Sequence, residues 1–313
     1  MKYQKPKFWD YKKPNYLSYL LLPFTFPLII NNYFLGLKNK DTSYSNIKKI
    51  CVGNIYVGGT GKTPLVIKIY QILSQIGFKT AIIKKFYPNH IDEQKILGND
   101  RKLYCKKDRR TALKEAIKDN NNVAIFDDGL QDRLINYDLK FVCFNNIKWI
   151  GNGFLIPAGP LREKIMSISK YDVAFINGND FDNTSLKILI NKYNKNIKIF
   201  ESYYIPTNIH QFDVTKKYIV FSGIGNPETF RETLLKNKFN VVKEVIFPDH
   251  YNYTQADIDK IKFQAKNLHA GIITTEKDYV KINSNTNDDV QFLKIDLKIK
   301  NEEKFISYLK LHL

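Results

Sequence analysis

Cysteine is scarce in this chain, and its three examples, Cys51, Cys105 and Cys143, stand too far apart to form a metal-binding spacing. Two of them sit inside the apolar runs ICV and FVCF, so buried, reduced thiols and a cytosol-facing protein are expected. Acidic residues are short relative to basic ones: 31 Asp and Glu against 49 Lys and Arg leave a net charge of +18. That balance predicts attraction to something acidic, whether nucleotide phosphate, nucleic acid or an anionic membrane surface. The lysines are scattered rather than blocked and far outnumber the arginines, as a drift toward Lys, Asn and Ile would also produce. There is no internal repeat of about 20–50 residues and no low-complexity tract, which excludes solenoids and arrays. No run beyond Leu37 resembles a membrane span, and no small-residue cleavage site marks a secretory signal.

What is present suffices for two cores. The chain has 313 residues, 43% hydrophobic, with 21 Phe and 20 Tyr, so global disorder is excluded. One uncharged segment, Tyr16 to Leu37, could cover a bilayer core of about 30 Å in length. Pro23 and Pro27 break a regular helix there, Asn31 and Asn32 are costly in hydrocarbon, and lysines flank both ends (Lys5, Lys7, Lys12 and Lys13 before; Lys38, Lys40, Lys48 and Lys49 after). That pattern suits a segment dipping into one leaflet with its lysines at anionic headgroups, or an apolar helical hairpin packed on the protein.

From Lys48 onward short apolar runs alternate with helical patterns. Strands are expected at Ile50–Asn54, Thr80–Lys84, Val123–Phe126, Lys140–Phe144, Asp172–Ile176 and Lys198–Ser202, with helices at Pro64–Ile76 and Arg110–Lys118. A second run has strands at Tyr218–Ser222, Val241–Phe247 and Gly271–Thr274, with helices at Pro227–Lys236, Thr254–Leu268 and Glu302–His312. This rhythm predicts an α/β protein with parallel sheets covered by helices. Periodicity fades over Tyr204–Lys217, which reads as a linker between two lobes with a site in the cleft between them. The expected division is an apolar membrane-associating segment over 1–45, a larger α/β lobe over 46–205 and a smaller C-terminal α/β lobe over 206–313.

The chemistry starts at "YVGGTGKTP", Tyr56 to Pro64, between a strand and an apolar helix pattern. It reads as a phosphate-binding loop formed by Tyr56, Val57, Gly58, Gly59, Thr60, Gly61, Lys62 and Thr63, although Tyr56 stands where the usual pattern has its first glycine. The glycines let backbone amides turn onto phosphate oxygens, Lys62 reaches the β- and γ-phosphates, and the Thr63 hydroxyl holds Mg²⁺. Pro64 fits the first helical turn, where its missing amide is not needed. "VAIFDDGLQ" is an apolar strand ending in Asp127-Asp128, where a metal-side carboxylate belongs, one facing the metal and the other orienting water or the loop.

Six strings in order, "VGNIYVGGTGKTP", "DDGLQ", "GNGFLIPAGPLRE", "FSGIGNPETF", "FPDHYNYT" and "TTEKD", closely resemble those of tetraacyldisaccharide 4′-kinases, the lipid A 4′-kinases of Gram-negative bacteria. The resemblance runs from about Tyr16 to Lys281, and the family's loop also lacks the first glycine. It implies two α/β/α lobes joined by a short β linker. The implied reaction is transfer of the ATP γ-phosphate to the 4′-hydroxyl of a tetraacylated glucosamine disaccharide 1-phosphate, giving lipid IVA in lipopolysaccharide synthesis. It also implies work at the cytoplasmic face of the inner membrane. Through the resemblance Asp92 stands near the attacking hydroxyl and His250 pairs with it, a carboxylate supported by an imidazole being a suitable proton acceptor. Arg162 could bind a phosphate of acceptor or ATP, or bridge to a carboxylate; "TTEKD" could face the nucleotide cleft. The chain departs from the family at Lys85-Phe86-Tyr87, Ile91, Gln94 and Asp132, all on the acceptor side.

Rival readings are a kinase of another lipid or polyol, differing only in acceptor, and a membrane-associated ATPase of the MinD type. The latter carries a lysine directly before its two glycines, where this chain has Val57. A nucleic-acid-binding module would cluster basic residues with exposed aromatics on one face; no such cluster is found outside the N-terminal flanks, and no nucleic-acid partner is expected.

Overall fold

The structure is a computed structural model describing residues 5–37, 46–88, 91–132, 134–178, 182–282 and 289–313. Lys38 and Lys40, read as the basic flank of the apolar segment, lie outside the described residues, as does the expected boundary at residue 45. The first sheet is built from β1 (Lys48–Gly53), β2 (Thr80–Lys85), β3 (Leu103–Lys106), β4 (Val123–Asp127), β5 (Leu139–Asn145), β6 (Val173–Asn177) and β7 (Lys198–Pro206). Every residue of β4 and β6 is buried, as continuous apolar runs must be in parallel strands covered on both faces. Before the sheet come two short helices, α1 (Tyr16–Leu20) and α2 (Phe26–Leu37). Covering it are α3 (Lys62–Gln75), α4 (Ile91–Gly98), α5 (Arg109–Lys118) and α6 (Thr184–Tyr193). In α3, Leu65, Val66, Ile69, Ile72 and Leu73 are buried at helical spacing, which seats that helix on the sheet.

The second sheet holds β8 (Lys217–Ser222), β9 (Asn240–Ile246), β10 (Ala270–Thr275) and β11 (Val290–Leu293), all paired in parallel in the order β11-β10-β8-β9. Its helices are α7 (Pro227–Lys236), α8 (Gln255–Asn267) and the short α9 (Glu276–Tyr279). The chain then returns. β12 (Ile295–Ile299) pairs antiparallel with β7, so the first sheet has the order β12-β7-β6-β5-β1-β4-β2-β3. The last helix, α10 (Glu302–His312), buries Phe305 and Leu309 against Phe141 and Phe175 of the same sheet.

This corrects the expected division at 206–313, because β12 and α10 belong to the first sheet. Leu297, Ile299, Phe305 and Leu309 have their apolar partners there. The lobes are therefore joined twice, after β7 and before β12. Thr207 donates to the Lys294 carbonyl at 2.9 Å and Lys294 donates to Asn208 Oδ1 at 2.8 Å, which ties the two crossings together.

The segment 16–37 is two helices separated by a 3₁₀ turn at Leu22–Thr25. The α2 helix spans about 18 Å by its rise per residue, and among the described residues no helix is long and apolar enough to cross a membrane. Tyr16, Tyr19, Leu20, Phe24, Phe26 and Phe34 are exposed along it, an apolar surface far beyond scattered single residues.

Candidate active site

The phosphate loop lies between β1 and α3 and is fixed from below. Asn54 Nδ2 donates to Thr60 Oγ1 at 2.9 Å and to the Gly58 carbonyl at 3.3 Å. Asn177, at the end of β6, donates to the Thr60 carbonyl at 2.6 Å. Gly61 caps α3 in the left-handed region, and a Cβ there would lie 2.4 Å from the Tyr204 hydroxyl, so glycine is required on both counts. Val57 through Pro64 line a cleft of about 460 Å³ between the lobes. Tyr56, expected with the loop, does not line it: its side chain is buried, 1% exposed, and its hydroxyl donates to Asp10 on the far side.

The carboxyl end of β4 lies beside β1, with Asp127 in register with Val52, and this neighbour relation delivers two carboxylates to the loop. Asp128, held in the left-handed region, pairs with Lys62 at 3.5 Å and with both carboxylate oxygens on Arg162 Nη1 at 3.0 and 3.1 Å. Burial pushes its carboxyl up, but Lys62 and Arg162 outweigh this and hold it well below the ordinary aspartate value. Of the two roles open to Arg162, the structure has it on a carboxylate. Asp127 is fully buried; Lys84 from β2 donates to its Oδ2 at 2.5 Å, while Oδ1 has no hydrogen-bond partner.

Lys84, only 5% exposed, also donates to Glu93 of α4 at 2.8 Å. Glu93 leads to the predicted pair. His250 Nδ1 lies 3.3 Å from Asp92 Oδ1 and 3.2 Å from Oδ2, so α4 of the first lobe and the loop after β9 of the second meet there. The imidazole, 19% exposed, lines the cleft; Asp92, 2% exposed, is enclosed behind it. Lys277 of α9 reaches His250 Nε2 at 3.3 Å and Glu93 and Asp249 at 3.4 Å. Burial raises the Asp92 carboxyl, but the His250 hydrogen bond and the Lys277 charge prevail and hold it below its ordinary value.

Sequence reading missed Lys84, Glu93 and Lys277 as site residues, because their partners come from other strands or the other lobe. Lys277 lies in the "TTEKD" string, which was expected at the cleft. In the same string Asp278 is structural: it is buried, accepts from the Gly223 amide at 3.0 Å and pairs with Lys281 at 2.7 Å. The departure at Asp132 is satisfied by Arg109 at 3.2 Å.

A second cavity, about 530 Å³, adjoins the first at Asp128 and Arg162. Its lining includes Leu28, Asn31 and Asn32 of α2 and the cations Lys85, Lys107 and Arg110. Asn32 donates to the Arg162 carbonyl at 3.1 Å, which joins the apolar segment to the site.

A glycine-rich loop opening a helix, an acidic strand end beside it and a two-lobed parallel-sheet scaffold define a phosphate-loop nucleotide protein of the phosphotransferase kind. The family model described as tetraacyldisaccharide-1-P 4′-kinase matches residues 20–104 and 92–313. The chain belongs to that family. It is 49% identical over 310 residues to the tetraacyldisaccharide 4′-kinase of Pelagibacter ubique (strain HTCC1062), covering 99% of this chain and 98% of the relative. It is 37% identical over 317 residues to that of Rickettsia canadensis (strain McKiel), covering 95% and 93%. The solved structure of LpxK from Aquifex aeolicus in complex with ATP has the same fold, with a TM-score of 0.68 at 21% identity over 95% of this chain and 99% of that one.

Proposed function

We infer that this chain transfers the γ-phosphate of ATP to the 4′-hydroxyl of tetraacyldisaccharide 1-phosphate, a step of lipid A synthesis. The observation that carries this reading is the convergence of the phosphate loop and the Asp92–His250 pair on one cleft, in a member of this family. The 4′ oxygen forms the new bond to the γ-phosphorus while the bond to the β–γ bridging oxygen breaks, releasing ADP. Lys62 and the loop amides hold the phosphates in line, which is most of what this reaction asks of a protein. The Asp92–His250 pair takes the hydroxyl proton. The imidazole is held between Asp92 of the first lobe at Nδ1 and Lys277 of the second at Nε2, so the pair is oriented from both lobes.

The residues present fit a divalent cation. Asp127 Oδ1 is buried without a hydrogen-bond partner, and Asp127 lines the same cleft as Thr63. Thr63 and Asp127, with Asp128 nearby, would hold Mg²⁺, which would neutralise charge on the β- and γ-phosphates. A cavity lined by Leu28 of α2 and by Lys85, Lys107 and Arg110 suits a phosphorylated amphiphile, with acyl chains along α2 and the 1-phosphate at the cations. The exposed aromatic surface of α1 and α2 supports a peripheral position at an anionic membrane surface, with the active site at headgroup level on the cytoplasmic side.

The test is transfer from γ-labelled ATP to tetraacyldisaccharide 1-phosphate in detergent micelles. Labelled bisphosphorylated product from wild type and none from Lys62→Ala supports the reading. ATP binding without transfer would overturn the acceptor and favour another lipid or polyol.

A further inference from the structure

The loop tyrosine that faces away from the nucleotide is wired to the start of the chain. Residues Lys7–Asp10 form a 3₁₀ turn ahead of the apolar segment. The Tyr56 hydroxyl donates to Asp10 Oδ1, and Lys5 Nζ donates to the same hydroxyl at 2.5 Å and to Asp10 at 2.5 Å. The Tyr56 ring lies close to Gly58, where an added Cβ would stand 3.3 Å from ring atom Cε1. A second route runs through the backbone. Trp9 Nε1 donates to the Pro157 carbonyl and the Asn152 amide to the Trp9 carbonyl, each at 3.0 Å. The clamped stretch pairs with the loop's root, Val57 donating to the Pro160 carbonyl at 2.9 Å and Arg162 to that of Ile55 at 2.7 Å.

The far side of the loop is held by the second lobe. Gly59 is in backbone contact with Gly225 and Asn226, and Lys148 lies 3.5 Å from Asp10 and 3.4 Å from Glu228 in the first turn of α7. Glu228 is largely exposed, so this last pair is weak; the buried Tyr56 and its two partners carry the connection.

We propose that the N-terminal turn is a strap that sets the phosphate loop, with Tyr56 as a positioning residue acting through Asp10 and Lys5. A glycine at 56 would leave Gly58 without the ring close to it and the turn without its anchor. The chain that leads into the apolar α1–α2 segment thereby bears on nucleotide affinity. This rests on the reading of the cleft as the ATP site.

The experiment measures the Kd of ATP, and KM and kcat for transfer in micelles, on full-length Tyr56→Phe, Asp10→Asn and the double variant, with Tm as a check on folding. Each single substitution is expected to raise Kd and KM for ATP about five- to tenfold, the scale of one net hydrogen bond, with kcat within about twofold. The double variant should be no worse than the weaker single, because the two remove one interaction. Unchanged Kd in both singles, effects that multiply in the double, or a loss of kcat at constant KM would each overturn the proposal. Asp10→Asn keeps it testable if Tyr56→Phe folds poorly. The Kd arm needs no acceptor, so failure of the kinase reading would show separately as absent transfer.

Discussion

At the scale of single residues, the site alternates charge: Asp127, Lys84, Glu93, Lys277, then the Asp92–His250 pair. Lys84 matters most to its coherence, since removing it would leave two carboxylates without their shared cation in a buried place. Lys84→Met is expected to cut kcat by about 10-fold or more and to lower Tm by several degrees, the usual result of breaking a buried pair; steady-state kinetics with a thermal melt checks both. The pH response follows from the carboxyls held low. Asp92 and Asp128 titrate below 3.8 when folded and near 3.8 when unfolded, so their stabilisation is in place above that value and is lost as pH falls through the folded values. Urea midpoints should therefore hold down to about pH 4 and drop as the pH falls below it, and drop less in Asp128→Asn. The loop was legible because its strand, glycine-rich turn and helix are neighbours in sequence, and the Asp127 strand end because an apolar run precedes it. Lys84 was not, because its meaning depends on β2 lying beside β4. Nor was the place of Tyr56, whose partners Asp10 and Lys5 lie 46 and 51 residues earlier in the chain.

At the scale of elements, the outward aromatics of the helical segment 16–37 are separable from nucleotide binding. Its exposed aromatics should hold the protein to lipid, each buried ring contributing about 1–2 kcal/mol. Phe24→Glu combined with Phe34→Glu should lower binding to anionic vesicles about tenfold or more in sedimentation, while the Kd of ATP stays unchanged. The opposite case is Gly225, where a Cβ would fall 2.5 Å from the Gly59 amide nitrogen. Gly225→Val is expected to push the second lobe off the phosphate loop and raise the KM for ATP several-fold, with little change in Tm. Elements with long apolar patterns, such as α3, β4 and α10, were readable from periodicity. β11 and β12 were not: only Lys294 separates them, and one joins the second sheet while the other returns to the first. That return is decided by long-range packing on Phe141 and Phe175, which no local pattern records.

At the scale of the whole molecule, two lobes joined by paired crossings bring a histidine of one to an aspartate of the other, above a phosphate loop that both lobes touch. In the proposed mechanism this cross-lobe pair acts as one unit in phosphoryl transfer. The direct measurement is kcat for γ-phosphate transfer by Asp92→Asn, His250→Gln and the double variant at saturating ATP. Each single substitution should lower kcat about 10²-fold or more, and the double should be no slower than the worse single. Singles within about threefold of wild type, or a double whose loss is the product of both, would contradict it.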